Sequence, residues 1–95
     1  MVADLSSGRP YLEMVLHDGS RIRTFDPNVD DAELVWHRDE RARRIIVMEG
    51  YGWELQLDNK EPFDLLEGHS YTINRMEYHR IIKGDSTLVL RIIEV

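Results

Sequence analysis

Short runs of alternating apolar and polar residues follow one another along the chain, separated by turns rich in glycine, asparagine and aspartate. Alternation with a period of two places successive side chains on opposite faces of a strand. No window keeps a helical period beyond about two turns. The predicted strands cover residues 11–16, 21–25, 34–37, 43–48, 53–57, 62–66, 70–73, 78–82 and 87–93. This spacing predicts an antiparallel sandwich or barrel.

Several connections between these runs carry recognisable turn signals. Asp18-Gly19 between two β-prone runs predicts a hairpin. Residues 26–33 are acidic and predict an exposed loop, with a short helical turn over 30–34. Residues 49–52 predict a tight turn that closes a hairpin with the next strand. We expect residues 1–9 to form a flexible terminus and residues 1–95 to form a single domain.

Composition excludes several classes of function. Cysteine is absent, so a metal site must use His, Asp and Glu, and Cys nucleophiles are excluded. The net charge of −6 argues against nucleic-acid binding, which needs clustered positive charge. The sequence has neither a signal-peptide pattern nor an apolar run that is long enough to span a membrane. We therefore expect a cytoplasmic protein with no nucleic-acid or membrane partner.

Two sets of residues between Val35 and Lys83 have a distinctive spacing. In the first, His37 and Asp39 are followed by Arg43 and, seven residues later, by Gly50. In the second, Gly68 is followed by His79.

This spacing resembles the two motifs of the cupin superfamily, which read His-x-His, then Glu, then Gly, and Gly-x5-Pro-x-Gly-x2-His-x3-Asn. His37 and Asp39 stand at the two histidine positions of the first motif, and Arg43 stands at its glutamate position. In the second motif, His79 matches, while Asn74, Met76 and Lys83 replace proline, glycine and asparagine.

The resemblance implies an all-β fold, a small antiparallel β-barrel or jelly-roll sandwich of the cupin (double-stranded β-helix) type. It also implies a ligand site in the barrel interior, with one divalent metal ion (Fe, Mn, Ni or Zn) at His37, Asp39 and His79. The alternation of side chains along the strands is consistent with this site. If His37 points into the barrel interior, Asp39, Arg43 and His79 are expected to point there as well.

Three interpretations of this interior are open. A metal can be held by the two imidazoles and the carboxylate, although the positive charge of Arg43 opposes it. Alternatively, a metal-free pocket can hold a small polar or anionic molecule, with Arg43 binding its carboxylate or phosphate. In the third, Asp39 and Arg43 simply form an ion pair. An enzyme such as a dioxygenase or isomerase and a non-catalytic binding module both remain open.

Other residues receive secondary assignments. Tyr51 and Gln56 are candidate ligand-binding residues, Tyr51 at the pocket rim and Gln56 on a polar strand face that either lines the cavity or meets solvent. His17 and His69 are expected to be exposed and without a functional role. Trp36 and Trp53 are expected to be core or interface anchors.

The sequence also predicts an apolar patch on the outside of the barrel. Trp36, Ile46, Met48 and Ile82 all fall on the faces assigned outward. An apolar outer face indicates packing against a partner, and cupins commonly dimerise through a sheet face. We therefore predict a homodimer.

Overall fold

The computed structural model describes residues 9–95, so most of the predicted flexible terminus lies outside the described residues. This part of the chain contains two antiparallel sheets and one short 3₁₀ turn. Its strands are β1 Leu12–Val15, β2 Arg21–Phe25, β3 Arg43–Glu49, β4 Glu54–Leu57, β5 Phe63–Asp64, β6 Ser70–Ile73, β7 His79–Ile82 and β8 Leu88–Glu94. The predicted antiparallel sandwich is therefore confirmed. Within residues 9–95, no helix is long and apolar enough to cross a membrane.

The two sheets differ in size. The larger has the strand order β1-β2-β8-β3-β6, and the smaller has the order β5-β4-β7. Because β2 and β3 both pair with β8, distant parts of the sequence share one inner face. That arrangement brings the interior residues of β2 close to those of β3.

The core lies between the sheets and follows the alternation of the strands. Most inward positions of the strands are apolar and buried, and the outward positions are more exposed. Ten apolar side chains are at most 5% exposed: Phe25, Ile45, Val47, Trp53, Leu55, Leu65, Ile73, Leu88, Leu90 and Ile92. Trp53 is completely buried and its indole N–H donates to the carbonyl of Ser86 (2.7 Å), which confirms it as a core residue.

Two predicted local elements are confirmed. The β1–β2 hairpin closes at Asp18-Gly19, where Gly19 takes a φ of +85° that favours glycine. A 3₁₀ turn spans Asp31–Glu33, within the loop expected to contain a helical turn. Its N-cap is Asp30, whose carboxylate accepts a hydrogen bond from the amide of Ala32 (3.0 Å).

Two other predictions are wrong. Residues 34–37 form no strand, because only His37 pairs with a neighbour, through an isolated bridge to His79. The turn at 49–52 does not close a hairpin, because β3 and β4 belong to different sheets. A bulge between Val47 and Glu49 disrupts the pairing of β3 with β8, and the chain then crosses to the other sheet.

Candidate metal centre

A cavity of about 400 Å³ lies between the two sheets. Much of its wall consists of apolar core residues, which include Phe25, Ile45, Leu55, Ile73, Ile81, Leu90 and Ile92. Its polar lining is formed by charged and imidazole side chains, namely Arg9, Arg21, Arg23, Glu33, His37, Asp39, Arg43 and His79. This combination of an apolar wall and a few polar groups is typical of small-molecule sites.

The backbone pairing of His37 with His79 brings two imidazoles together. The His37 amide donates to the His79 carbonyl (3.0 Å), and the His79 amide donates to the His37 carbonyl (2.9 Å). Directly paired residues of antiparallel segments project their side chains to the same side. The ring centroids are accordingly 4.3 Å apart. One isolated bridge therefore positions both histidines.

Both imidazoles are oriented by a hydrogen bond from Nδ1. In His37 this atom lies 3.1 Å from the carbonyl oxygen of Val35, and in His79 it lies 2.9 Å from that of Glu77. A carbonyl oxygen can only accept, so Nδ1 carries the proton and a neutral ring keeps its lone pair on Nε2. Backbone partners of this kind fix the tautomer of metal-ligating histidines.

The charge state of His79 also suits a ligand. Its side chain is buried, and burial lowers the pKa of His79 below its ordinary value of 6.5. The nearby His37 and Arg43 lower it further, against the opposing effects of the Glu77 carbonyl and of Asp39. His79 is therefore neutral at pH 7, and its contact with Asp39 (Nε2 to Oδ2, 3.4 Å) is not an ion pair.

Asp39 supplies a carboxylate whose two oxygens have different surroundings. Oδ1 lies 3.4 Å from Nη2 of Arg43, whereas Oδ2 is buried and accepts no hydrogen bond from the described residues. An unsatisfied buried oxygen is costly, and a cation beside it would remove that cost. Among the described residues, His37, Asp39 and His79 each offer one ligand atom, and these atoms lie within 4.8 Å of one another.

These three side chains fit a divalent metal ion. Two imidazole nitrogens and one carboxylate oxygen are ligand atoms that iron, manganese, nickel and zinc accept. The donor set alone does not select among these metals, because geometry and availability contribute to the choice.

The structure brings together four of the six residues singled out from the sequence, His37, Asp39, Arg43 and His79. Arg43 points into the pocket and is 15% exposed. The two other candidates do not line this pocket. Tyr51 is 74% exposed and lines a separate surface depression. Gln56 does not line the pocket, because it alternates with the buried Leu55 and faces outward.

Gln56 is occupied by contacts on the outer face of the smaller sheet. Its amide oxygen accepts a hydrogen bond from Nε of Arg80 (2.8 Å), and its amide nitrogen donates to the carbonyl of Lys60 (3.1 Å). Trp36, 42% exposed, lies under the guanidinium of the same Arg80 and is not a core residue. His17 and His69 are exposed, as expected.

Sequence reasoning missed the pocket residue Arg23. Its guanidinium lies over the ring of Tyr11 (4.3 Å to the centroid), and its side chain is 11% exposed. The signal was available, because in β2 the residues Arg21 and Arg23 alternate onto the same face as the core residue Phe25.

Comparisons with solved structures identify the fold. The chain is similar to a protein of unknown function from Acinetobacter sp. ADP1 (13% identity, TM-score 0.74, covering 100% of this chain and 90% of that one). It is similar to an RmlC-like cupin family protein with a double-stranded β-helix fold from Methanocaldococcus jannaschii (15% identity, TM-score 0.71, covering 100% and 89%). It is also similar to a cupin domain from Bordetella pertussis (23% identity, TM-score 0.63, covering 90% and 94%).

These likenesses show that the chain has the double-stranded β-helix fold of cupins, which confirms the prediction made from its motif spacing. No protein-family model matches the sequence, and no curated protein matches it either.

Proposed function

We propose that this protein binds one divalent metal ion through His37, Asp39 and His79, and a small polar or anionic molecule in the pocket beside it. The observation that carries the proposal is the convergence of three ligand atoms within 4.8 Å, beside the buried, unsatisfied Oδ2 of Asp39, which lies 3.4 Å from Nε2 of His79. Iron, manganese, nickel and zinc are the candidate metals.

The surroundings of these three residues support the proposal. Both imidazoles are held by hydrogen bonds from Nδ1 to backbone carbonyls, so the lone pair of each ring that is available to a metal lies on Nε2. A metal bound there would supply Lewis-acid polarisation of a ligand oxygen. The apolar wall of the cavity would enclose the rest of the ligand and exclude water from it.

Metal titration of protein purified without a His-tag and treated with chelator tests this proposal. We expect one equivalent of metal to bind, measured by isothermal titration calorimetry and by elemental analysis after desalting. His79→Ala and His37→Ala should abolish stoichiometric binding, because each removes one of three ligands. The matched control is His69→Ala at an exposed position, which should bind normally. No binding of any of the four metals, or binding that His79→Ala leaves unchanged, refutes the proposal.

We also propose that the protein forms a homodimer through the outer face of the larger sheet. The predicted outer patch is in fact divided: Ile46 and Met48 lie on the outer face of the larger sheet, and Ile82 lies on that of the smaller sheet. The outer face of the larger sheet is rich in apolar side chains that are only partly buried within one chain: Leu12, Met14, Ile22, Ile46, Met48, Val89 and Ile93.

The outer face of the smaller sheet offers a different surface. Its strands present Glu54, Gln56, Asp64 and Arg80 there, with Ile82. Because apolar contact area drives stable association, the larger sheet is the better dimer interface.

A further inference from the structure

The interior of the pocket carries more arginine than its proposed metal site explains. Arg21 and Arg23 reach it from β2, and Arg43 reaches it from β3. Two strands of the larger sheet, β2 and β3, flank β8, so these side chains share one inner face. A guanidinium group is not a metal ligand, so the metal site does not account for these arginines. Arginine is also seldom buried in a protein core without a partner.

Arg23 is the most deeply placed of the three. It is stacked on Tyr11 and lies 3.4 Å (Nε to Oε2) from Glu13, an acid that also contacts Arg9 and Arg21. One carboxylate is thus shared among three guanidinium groups. Despite this contact, the Nε–H of Arg23 is buried and makes no hydrogen bond within the described residues.

Arg43 shows the same deficiency. Its Nη2 is 3.4 Å from Asp39, and its Nε is buried with no hydrogen-bond partner among residues 9–95. Buried donors are nearly always satisfied by protein, water or ligand. Two such donors on guanidinium groups of the same pocket are an arrangement that suits an oxyanion.

The charges of the interior favour a single negative charge on that oxyanion. Four arginines, Arg9, Arg21, Arg23 and Arg43, face three acids, Glu13, Glu33 and Asp39, which leaves an excess of one positive charge. Burial lowers the pKa of Arg23, and the nearby positive charges of Arg43 and Arg21 lower it further, against Tyr11 and Glu13, which raise it. An anion beside Arg23 would relieve both the desolvation and this repulsion.

We propose that Arg23 and Arg43 form an oxyanion subsite that binds the carboxylate of a small organic monocarboxylic acid. This inference rests on the proposed ligand-binding function and names its ligand class. The carboxylate accepts hydrogen bonds from the two unpaired Nε–H groups. The apolar body of the ligand packs on Ile45, Leu90 and Ile92 in a cavity of about 400 Å³. The remaining end of the ligand reaches the histidine pair.

Side-chain NMR of the arginine Nε–H groups tests this subsite directly. The probe is benzoate, added to chelator-treated protein, with benzamide as the neutral isostere. We expect benzoate to shift the Nε–H signals of Arg23 and Arg43 in a saturable way at millimolar concentration, and benzamide to shift neither. The signals are assigned with Arg23→Lys and Arg43→Lys. No shift with benzoate, or an equal shift with benzamide, overturns the proposal, and so does a shift with inorganic phosphate only.

Variants give a second measurement of the same subsite. Arg23→Gln should weaken benzoate binding by about tenfold or more, because a charge-assisted hydrogen bond is lost. Arg44→Gln is the matched control, since Arg44 is next to Arg43 on β3 but exposed on the opposite face. Equal affinity of wild type and Arg23→Gln for benzoate would also overturn the assignment.

The two proposals fail separately. Benzoate binding is measured without metal, and metal binding is measured without benzoate. A protein that binds benzoate but no metal refutes only the metal site, and the converse refutes only the oxyanion subsite.

Discussion

Arg43 and Asp39 are paired inside the pocket at 3.4 Å (Nη2 to Oδ1), and this pairing leaves the second carboxylate oxygen facing His79. Arg43 leaves one oxygen of the Asp39 carboxylate available, because Oδ2 accepts no hydrogen bond from the part of the chain that is described. It stands at the position where the cupin motif has glutamate, so the same place now holds a positive charge. Arg43 thus orients the proposed metal ligand Asp39, while its positive charge repels the metal ion.

The balance between these two effects predicts the behaviour of Arg43→Gln. A like charge about 5 Å from a cation costs roughly 3 kcal/mol per unit charge at an effective dielectric of 20, and an open pocket screens part of it. Glutamine keeps a donor for Oδ1 but carries no charge. We expect Arg43→Gln to bind metal about tenfold more tightly or better, measured by calorimetric titration.

The control for this change is Arg44→Gln, which removes the same charge from the exposed face of β3. It should change metal affinity by much less, because solvent screens an exposed charge. Weaker metal binding by Arg43→Gln would contradict the expectation. It would mean that positioning of Asp39 outweighs the repulsion.

Packing around Gly84 predicts a strong effect of a single methyl group. A Cβ at this position would lie 2.5 Å from the carbonyl carbon of Gly52 and would also collide with the backbone of Trp53. Because the obstacle is backbone, Gly84→Ala should destabilise the fold by about 1–3 kcal/mol. Urea denaturation measures the free energy of unfolding. Leu66→Ala, at a 50% exposed position outside the proposed dimer face, is the control, with an expected change within about 0.5 kcal/mol. A Gly84→Ala midpoint equal to wild type would contradict this close packing.

Asp18 connects the β1–β2 turn to β8 and predicts a pH dependence of stability. Its Oδ1 accepts hydrogen bonds from the amide and hydroxyl of Ser20, and its Oδ2 accepts one from Nη2 of Arg91 (2.6 Å). The bonds to Ser20, with a smaller effect of Arg91, lower the pKa of Asp18 below its ordinary value of 3.8, although desolvation opposes them.

A carboxyl whose pKa is lower in the folded state stabilises the fold above its unfolded pKa, and this contribution is lost as pH falls through the folded pKa. The stability advantage of wild type over Asp18→Asn should therefore be constant near neutral pH and shrink below about pH 4. Urea midpoints of both proteins across this range measure it. An advantage that grows on acidification would contradict the prediction.

The proposed dimer predicts different effects for two isoleucines. Ile46→Lys replaces an apolar side chain on the outer face of the larger sheet by a positive charge next to Arg44 and Arg91. It should give a monomer, because an unpaired like charge buried in an interface is costly. Ile82→Lys makes the same change on the outer face of the smaller sheet and should remain a dimer. Size-exclusion chromatography with light scattering distinguishes the chain mass of 11.2 kDa from twice that value. A wild-type mass of one chain would refute the dimer.

The contrast between Gln56 and Arg23 shows where sequence reasoning reached its limit. The sequence leaves open whether the face of Gln56 lines the pocket, and in the structure this residue alternates with the buried Leu55 and faces outward. Arg23 was overlooked, although Phe25 on the same strand face marks that face as interior. Strand parity separates two faces, but it does not by itself say which one meets the opposite sheet.

Alternation and turn residues predicted the all-β fold and most strands, and these features are local, since each depends on residues a few positions apart. The grouping of His37, Asp39 and Arg43 with the distant His79 came instead from the resemblance of their spacing to the cupin motifs. Only the tertiary structure decided that residues 34–37 form a single bridge and that the chain crosses between sheets after β3. Only it placed Arg23 in the same pocket as Arg43, because that proximity depends on both strands pairing with β8, more than forty residues further along the chain. The sequence thus identified the candidate metal ligands, whereas long-range strand pairing decided which arginines surround them.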